Sequence, residues 1–339
     1  MRAIWTTGTN GPDSLEVRET EDPEPGPGEV RIRVSAAGLC FAEVMAAQGL
    51  YPGAPKFPAV LGYEAAGVID KVGDGVDPRR AGGRVVALAR FGAHSDVVCV
   101  PERQALAIPP GKGFEEAAAI PVNYLTAYHI LFRTAHVQPG ERVLVHMAAG
   151  GLGTAALQLC RTVEGVETFG TASAAKHEAG KEEGCTHPID YHTTDYVREV
   201  RRLTGGEGVD VVLDPLGGAD SRKGLKLLRP GGRLVTYGFA NMTSGTRRNP
   251  ARVLRQVASV PLLTPLQLMN ANKTVAGVHI GRLVTRMDLL IRELTEVLAL
   301  WAAGTVTPRI DLVFTFDKAA EAHRRILAHG NTGKIILTP

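Results

Sequence analysis

Two kinds of hydrophobic pattern divide the chain near residue 115. Before it, short apolar stretches alternate with polar residues and end in turns rich in glycine and proline, which is typical of β-strands. The predicted strands are residues 30–34, 67–72, 84–88 and 96–100. Short strands separated by such turns favour a distorted, barrel-like β-domain.

Beyond residue 115, predicted strands alternate with predicted helices. Residues 114–131 are predicted to be helical with a break at Pro121. The strands that follow are residues 143–146, 167–170, 209–213, 232–237 and 274–278, and the intervening helices are residues 154–163, 175–183 and 221–228. This alternation favours an α/β domain with a doubly wound parallel sheet.

The C-terminal part predicts a helix over 289–303, a strand over 311–316, a helix over 317–328 and a strand over 334–337. We expect this tail to return to the first domain, so that the doubly wound domain is an insertion. With 339 residues the chain is long enough for two cores. The predicted boundaries are residues 1–123 and 282–339 for the discontinuous domain, and 124–281 for the inserted one.

Charge and composition exclude several classes of partner. The net charge of +3 is scattered and aromatic residues make up 5%, so a nucleic-acid surface is not expected. The uncharged stretches 117–132 and 256–272 are shorter than the roughly 20 residues of a membrane span, and both are expected to be buried or to line a cleft. Four cysteines without a CxxC pair and no leader segment indicate a cytoplasmic protein.

The most specific local motif is a glycine-rich turn between a strand and a helix in residues 143–159. It has the form G-x-G-x-x-G with alanine first: Ala148, Gly150 and Gly153. Such a turn lets backbone N–H groups, here those of residues 149–152 (Ala149, Gly150, Gly151 and Leu152), approach a pyrophosphate at the start of a helix. Gly153 allows close packing of that helix on the strand.

The end of the next strand indicates which dinucleotide binds. An NAD site usually has a carboxylate there, about 20 residues after the turn, to hold the ribose 2′-hydroxyl. Here the first carboxylate is Glu178, inside the following helix, whereas Ser173 and Lys176 follow the strand and Tyr191 follows the third strand. A hydroxyl and a cation suit a 2′-phosphate, so the predicted cofactor is NADPH. The alternative is a polar loop with a solvated lysine.

Motifs spread over nearly the whole chain resemble the medium-chain dehydrogenase/reductases. They are residues 38–41 (GLCF), 49–52 (GLYP), 62–67 (GYEAAG), the turn 148–153 (AAGGLG) and 331–334 (NTGK). The resemblance is to the quinone oxidoreductase branch. Three further stretches, 122–128 (VNYLTAY), 186–196 (THPIDYHTTDY) and 214–218 (DPLGG), are similar to the synaptic vesicle membrane protein homologues within it.

The resemblance implies a GroES-like substrate domain split around a Rossmann domain, with an active cleft between them. Members reduce quinones or other activated double bonds with NADPH and commonly form dimers. A homodimer through the outer strand 274–278 is therefore expected, by analogy of fold. The segment 244–272 is expected to cover the cleft, to form a hydrophobic surface, or to be a core helix pair, and peripheral membrane contact is left open.

The sequence predicts no metal site. Zinc alcohol dehydrogenases of this superfamily carry a Cys-His pair, a Gly-His-Glu motif and a further ligand before the nucleotide domain. The matching positions here hold Cys40-Phe41, Gly62-Tyr63-Glu64 and Val122-Asn123, which leaves one soft ligand. Hydride addition to an electron-poor quinone or enone needs no Lewis acid, because the negative charge delocalises onto the acceptor's own oxygen.

The resemblance and the chain order together nominate site residues. Tyr51 is expected to border the nicotinamide and acceptor, Asn123 and Thr126 to contact either, and Cys40 to line the pocket. From the carboxyl edge of the sheet and the C-terminal loop, Gly238, Phe239 and Asn331 are expected to reach the cofactor. Each has a structural alternative: a surface turn for Tyr51, helix capping for Asn123 and Thr126, a buried thiol for Cys40 and a turn residue for Asn331.

Three functions stay open at this level. The branch often has asparagine where this chain has Cys40, and tyrosine where it has Met45, so the first hypothesis is a reductase of quinones or of other enones. The second is an enoyl-thioester reductase. The third is an NADPH-binding protein that binds lipid or another partner with little catalytic activity. The proton is expected from solvent or from Tyr51.

Lys176→Glu tests the choice of cofactor. Loss of a charge-assisted hydrogen bond should weaken NADPH binding by at least about 1.5 kcal/mol, which corresponds to roughly tenfold. Calorimetric titration with NADPH and NADH measures it. Unchanged NADPH affinity, together with tighter binding of NADH by the wild type, would show that the assignment is wrong.

Overall fold

The computed structural model describes residues 1–243 and 245–339. Its described residues divide into two units. The first comprises residues 1–125, 245–248 and 283–339, and the second comprises residues 126–243 and 249–282. Of the segment 244–272 discussed above, Ser244 lies outside the described residues. In the described part of the chain, no helix combines the length and the apolar character needed to cross a membrane.

Strands alternate with turns in the first third of the chain and with helices thereafter. Within residues 1–243 and 245–339 the strands are β1 (Arg2–Thr6), β2 (Leu15–Glu19), β3 (Glu29–Leu39), β4 (Ala59–Val60), β5 (Glu64–Val72), β6 (Arg84–Leu88), β7 (Val97–Pro101), β8 (Ala105–Ala107), β9 (Arg142–Val145), β10 (Glu167–Ala172), β11 (His187–Asp190), β12 (Val209–Asp214), β13 (Leu228–Thr236), β14 (Thr274–Gly277), β15 (Ile310–Thr315) and β16 (Lys334–Thr338).

The α-helices of the same residues are α1 (Phe41–Ala47), α2 (Phe114–Ala118), α3 (Pro121–Tyr128), α4 (Gly151–Cys160), α5 (His177–Glu182), α6 (Tyr196–Leu203), α7 (Ala219–Leu227), α8 (Pro250–Ala258), α9 (Pro265–Ala271), α10 (Met287–Ala302) and α11 (Ala319–Leu327). The predicted helix 114–131 is divided at Pro121, as expected, because proline cannot donate the backbone hydrogen bond of a helix interior. A π-helical turn, His129–Thr134, continues α3.

The second unit is built on a parallel sheet with the strand order β11-β10-β9-β12-β13-β14. From β9 the chain first adds strands on one side and then, from β12, on the other. This reversal leaves the carboxyl ends of β9 and β12 at a topological switch point, where such sheets bind ligands. The prediction of a doubly wound parallel sheet is confirmed.

In the first unit, the chain forms a sheet with the order β15-β16-β3-β5-β6-β8, in which β7 also pairs with β3, and a smaller sheet with the order β2-β1-β4. The C-terminal strand β16 pairs antiparallel with β3, so the tail returns to the N-terminal strands. The core between these strands is made of small and β-branched residues such as Val30, Ile32, Ile69 and Val85.

Of the two uncharged stretches, residues 117–132 are mostly buried, whereas residues 256–272 are not. Most of segment 117–132 is buried, including Ile120, Leu125 and Ile130. Segment 256–272, predicted to be buried or to line a cleft, is not buried: it is largely exposed, with Leu262 exposed to 93% and Met269 to 64%. Apolar content alone does not specify burial, because a helix can carry an apolar face that nothing in the same chain covers.

Trp301 tests the packing of the C-terminal helix. It is fully buried on α10, and Trp301→Ala should lower the free energy of unfolding by about 3–5 kcal/mol, because the cavity cannot fully collapse. Glu296→Ala, at an exposed position of the same helix, should change it by less than about 0.5 kcal/mol. Urea denaturation followed by circular dichroism measures both, and similar losses for the two variants would contradict this account.

Candidate functional site

The glycine turn leads from β9 into α4. Met147 adopts a positive φ of 53°, and Gly150 is the N-cap of the helix. The first backbone N–H groups of a helix have no acceptor within the helix, and its dipole favours an anion there. In α4 these groups belong to residues 151–153. The turn can therefore receive a phosphate group at the switch point of the sheet.

Close packing explains why glycine is needed in this turn. A Cβ atom at Gly153 would lie 2.3 Å from the carbonyl oxygen of Met147 and 2.6 Å from the carbonyl carbon of Ala148. A Cβ atom at Gly150 would lie 3.2 Å from the same Met147 oxygen. The start of α4 thus lies directly on the end of β9, as a dinucleotide-binding turn requires. The residues present fit a dinucleotide phosphate.

The predicted 2′-phosphate residues follow two neighbouring strands. Ala172, the last residue of β10, pairs with Asp190, the last residue of β11, so Ser173 and Tyr191 begin adjacent loops at one edge of the sheet. Ser173 and Lys176 are half-buried, and Tyr191 is exposed to 45%. The register therefore brings together residues that are distant in the sequence.

The carboxylate at this edge already has partners within its own loop. Asp190 accepts hydrogen bonds from the backbone N–H of His192 at 3.1 Å and from the Thr193 hydroxyl at 2.9 Å. These hydrogen bonds, the backbone one above all, hold the pKa of Asp190 below its usual value. The end of β10 itself carries the hydroxyl of Ser173 and no carboxylate, as the sequence indicated.

Gly238 and Phe239 lie just beyond the end of β13. A Cβ atom at Gly238 would be 2.9 Å from the Pro215 carbonyl oxygen, and one at Gly217 would be 2.4 Å from the Phe239 ring. The loops after β12 and β13 are therefore in close contact. Buried Asp214 fixes the first of them by accepting the backbone N–H groups of Leu216 and Gly217 at 2.9 and 3.0 Å.

In the first unit, Tyr51 is half-buried and its ring lies edge-on to Tyr63, with 6.1 Å between ring centroids. Asn123 is buried in the first turn of α3. Asn331 donates from Nδ2 to the Gly333 carbonyl oxygen at 2.9 Å, which closes the turn before β16. Thr126 is buried and belongs to the second unit. The roles assigned to these residues stay predictions.

A buried charge network surrounds Cys40, and sequence reasoning missed it. Because Ile335 of β16 pairs with Leu39 of β3, Lys334 lies opposite Cys40. The Lys334 ammonium is 2.8 Å from Cys40 Sγ and also donates to Glu64 Oε1. Cys40 Sγ donates to the same Glu64 oxygen at 3.2 Å. All three residues are buried. The available signal was a charged residue at the start of a strand that is otherwise apolar.

Protonation states in this network follow from burial. Burial raises the pKa of Cys40 well above its ordinary value, and the neighbouring Glu43 and Glu64 raise it further. The sulfur therefore stays a thiol. Burial raises the pKa of Glu43 to about 8 and lowers that of His94 to about 4. For Lys334, burial favours the neutral amine, but the acidic side chains around it, the Glu64 carboxylate among them, outweigh burial and raise its pKa.

These donors do not fit a zinc ion. The sulfur of Cys40 is in contact with an ammonium group, which repels a cation, and the position of the second ligand holds Tyr63, whose burial raises its pKa. In residues 1–243 and 245–339, no three His, Cys, Asp or Glu side chains form a group that could hold a metal ion. The prediction that the enzyme works without zinc stays a prediction.

Two family descriptions match the chain. Residues 26–127 match the alcohol dehydrogenase GroES-like domain, and residues 183–337 match the zinc-binding dehydrogenase family. The predicted pairing of a GroES-like domain with a Rossmann domain is confirmed. The second family is described as zinc-binding, and the positions discussed above as zinc ligands, Cys40 and Tyr63, lie outside the residues that match it.

Known proteins cover the full length of the chain. The synaptic vesicle membrane protein VAT-1 homologue of Rattus norvegicus is 50% identical over 341 residues, which cover 100% of this chain and 84% of that protein. The crystal structure of the human VAT-1 homologue-like protein has a TM-score of 0.87 at 37% identity, covering 100% of this chain and 98% of that one.

Two enzymes share the fold at lower identity. Escherichia coli quinone oxidoreductase complexed with NADPH has a TM-score of 0.87 at 29% identity, with 100% of each chain covered. The CurK enoyl reductase has a TM-score of 0.84 at 29% identity, covering 99% of this chain and 98% of that one. The chain therefore belongs to the medium-chain dehydrogenase/reductase superfamily of oxidoreductases, within the family of the synaptic vesicle membrane protein VAT-1 homologues.

Proposed function

We propose that this protein is an NADPH-dependent reductase that transfers hydride to a quinone or an α,β-unsaturated carbonyl, without zinc. The observation that carries the proposal is the edge formed by β9, β10 and β11. It combines a phosphate-receiving helix start with Ser173, Lys176 and Tyr191, and its carboxylate, Asp190, accepts hydrogen bonds from within its own loop. The similarity to a quinone oxidoreductase complexed with NADPH supports the same cofactor.

In this proposal each loop at the sheet edge binds one part of the cofactor. Of the predicted backbone donors, Gly150 N–H already donates to the Met147 carbonyl oxygen at 2.9 Å, so the N–H groups of Ala149, Gly151 and Leu152 hold the pyrophosphate. Ser173, Lys176 and Tyr191 hold the 2′-phosphate. Gly238, Phe239 and Asn331 bind towards the nicotinamide end. Bound NADPH would supply the hydride, and the chain's own residues orient the reactants and exclude water.

The acceptor side needs hydrogen-bond donors rather than a nucleophile. Hydride addition places negative charge on the acceptor oxygen, and a donor within hydrogen-bond distance stabilises that charge. We assign this role to the Tyr51 hydroxyl and the Asn123 amide, with Thr126 beside the nicotinamide. Burial keeps Cys40 a thiol, so Cys40 borders the pocket without attacking the acceptor. The proton comes from Tyr51 or from solvent.

A panel of acceptors tests the function. With NADPH, the wild type should reduce 1,2- or 1,4-quinones or simple enones, as seen from the loss of NADPH absorbance, and turnover with NADH should be lower by at least about tenfold. Turnover restricted to enoyl thioesters would favour the second candidate, which the similarity to CurK enoyl reductase supports. NADPH binding without turnover on any acceptor would favour a binding protein.

A charge-matched control separates specific from general electrostatic effects in the Lys176→Glu experiment. Lys181 is exposed, lies on α5 and pairs with Glu178 at 2.7 Å. Lys181→Glu changes the net charge by the same amount and should leave NADPH affinity unchanged within about twofold, because exposed pairs contribute little. Equal losses in both variants would indicate a diffuse charge effect rather than a 2′-phosphate site.

We also propose that the protein forms a homodimer through β14. In residues 1–243 and 245–339, β14 pairs only with β13, which leaves one edge with open backbone donors and acceptors. Beside it in the sequence, α8 and α9 and their connection expose Leu254, Leu262, Leu266 and Met269. An edge strand with an apolar flank can pair with its own copy around a twofold axis. We therefore expect a second copy of this chain to cover the open edge of β14.

Two charges on the apolar segment test the dimer. The double variant Leu262→Glu/Leu266→Glu should raise the dimer dissociation constant by at least about tenfold, because each buried leucine contributes about 1.5–3 kcal/mol. Leu312→Glu, on the exposed edge strand β15 of the first unit, is the matched control. Sedimentation velocity distinguishes them. A monomeric wild type would contradict this interface, and so would a double variant that dimerises as tightly as the wild type.

A further inference from the structure

We propose that Lys334 is a positioning residue for the reduction described above: it holds Glu64, and Glu64 fixes the first turn of α3, where Asn123 lies. This inference rests on the proposed function. Lys334 lies near the C-terminus, far from Asn123 in the sequence. A continuous path of hydrogen bonds within the first unit connects it to the helix that carries Asn123.

The path begins with strand register. β16, β3 and β5 are neighbours, with Ile335 opposite Leu39 and Ala37 opposite Ala65. Lys334 on β16 therefore meets Glu64 of β5 across β3. A Cβ atom at Gly38 would lie 2.4 Å from Glu64 Oε1 and 2.6 Å from the Ala118 carbonyl oxygen, so the glycine in the middle strand makes room for the carboxylate.

The path ends at the start of α3. Pro121 is the first residue of this helix and has no N–H, so Val122 supplies its first backbone donor. That N–H donates to Glu64 Oε2 at 2.7 Å. A carboxylate at a helix N-terminus satisfies an otherwise unpaired donor and interacts favourably with the helix dipole. Asn123 is the next residue, and its position follows from this anchor.

Lys334 supplies the countercharge that the buried carboxylate of Glu64 requires. Glu64 has no exposed surface, and a buried carboxylate without a countercharge is strongly unfavourable. The other titratable groups around it do not supply that charge. Burial favours neutral forms of Cys40, Glu43 and His94, and Glu43 Oε2 instead accepts the backbone N–H of Cys40 at 2.9 Å. Without Lys334, the Glu64 side chain loses the partner that holds Oε1, and the position of Oε2 opposite the Val122 N–H is no longer fixed.

Lys334→Met tests this role in the full-length protein with NADPH and a quinone. We expect kcat to fall by about 10²-fold, since misplacement by about 1 Å can cost this much, while the NADPH dissociation constant stays within about twofold. The primary isotope effect with NADPH deuterated at the transferred position should increase, because hydride transfer becomes slower than the other steps. A merely structural role would reduce the active fraction and leave the isotope effect unchanged, which would overturn the proposal.

Arg31→Met is the matched control. Arg31 is a buried cation on β3, paired bidentately with Asp70 at 2.9 Å, and it has no contact with the Glu64 network. Its loss should lower thermal stability as the loss of Lys334 does, with kcat and the isotope effect unchanged. Lys334→Arg keeps the charge and should recover part of the activity lost in Lys334→Met. Equal kinetic losses in the Arg31 and Lys334 variants would overturn the specific role.

A double-mutant cycle tests whether Lys334 acts through Glu64. Glu64→Gln, Lys334→Met and the double variant should have strongly non-additive effects on kcat. Either single change already removes the interaction between Lys334 and Glu64, so the second change has little further effect. Additive effects would overturn the path. If Lys334→Met does not fold, Lys334→Gln, which keeps an amide donor, takes its place in the cycle.

The wild type separates the two proposals. If it neither binds NADPH nor reduces any acceptor, the proposed function fails and this inference fails with it. If the wild type turns over and the Lys334 variants retain its kcat and isotope effect, the proposed function stands and the role of Lys334 is refuted.

Discussion

The close approach of α4 to the end of β9 is the constraint on which the rest of the second unit depends. A Cβ atom at Gly153 would collide with two carbonyl groups of the preceding turn, so only glycine lets the helix begin there. This placement directs unpaired backbone N–H groups to the switch point of the sheet. The neighbouring strands then bring Ser173 and Tyr191 to the same edge, because parallel pairing aligns the ends of β10 and β11.

The first unit depends on a different kind of interaction, a buried ion pair. Lys334 and Glu64 lie on strands separated by one strand, and both are buried. Such a pair contributes little net stability relative to apolar residues, because the gain in attraction is offset by the loss of hydration, yet breaking it costs about 3–5 kcal/mol. Its value here is geometric, since the carboxylate has one oxygen on Lys334 and the other on Val122.

The family matches and the buried network around Cys40 both bear on the type of reaction that this fold can support. The chain matches a family described as zinc-binding, whereas the sulfur of Cys40 contacts the ammonium of Lys334. The fold is shared with a quinone oxidoreductase and an enoyl reductase, whose names refer to reductions. The nicotinamide-dependent reduction proposed above is one chemistry that an oxidoreductase fold of this kind supports.

The sequence by itself determined the features that are local in the chain: the period of strands and helices, the break at Pro121, the glycine turn and the missing carboxylate after β10. Each depends on residues within a few positions of one another. Only the tertiary structure decided that Lys334 meets Cys40 and Glu64, and that the apolar segment 256–272 lies exposed. Strand register and the covering of a helix face are set by distant parts of the chain, and a local pattern of apolar and polar residues does not encode them.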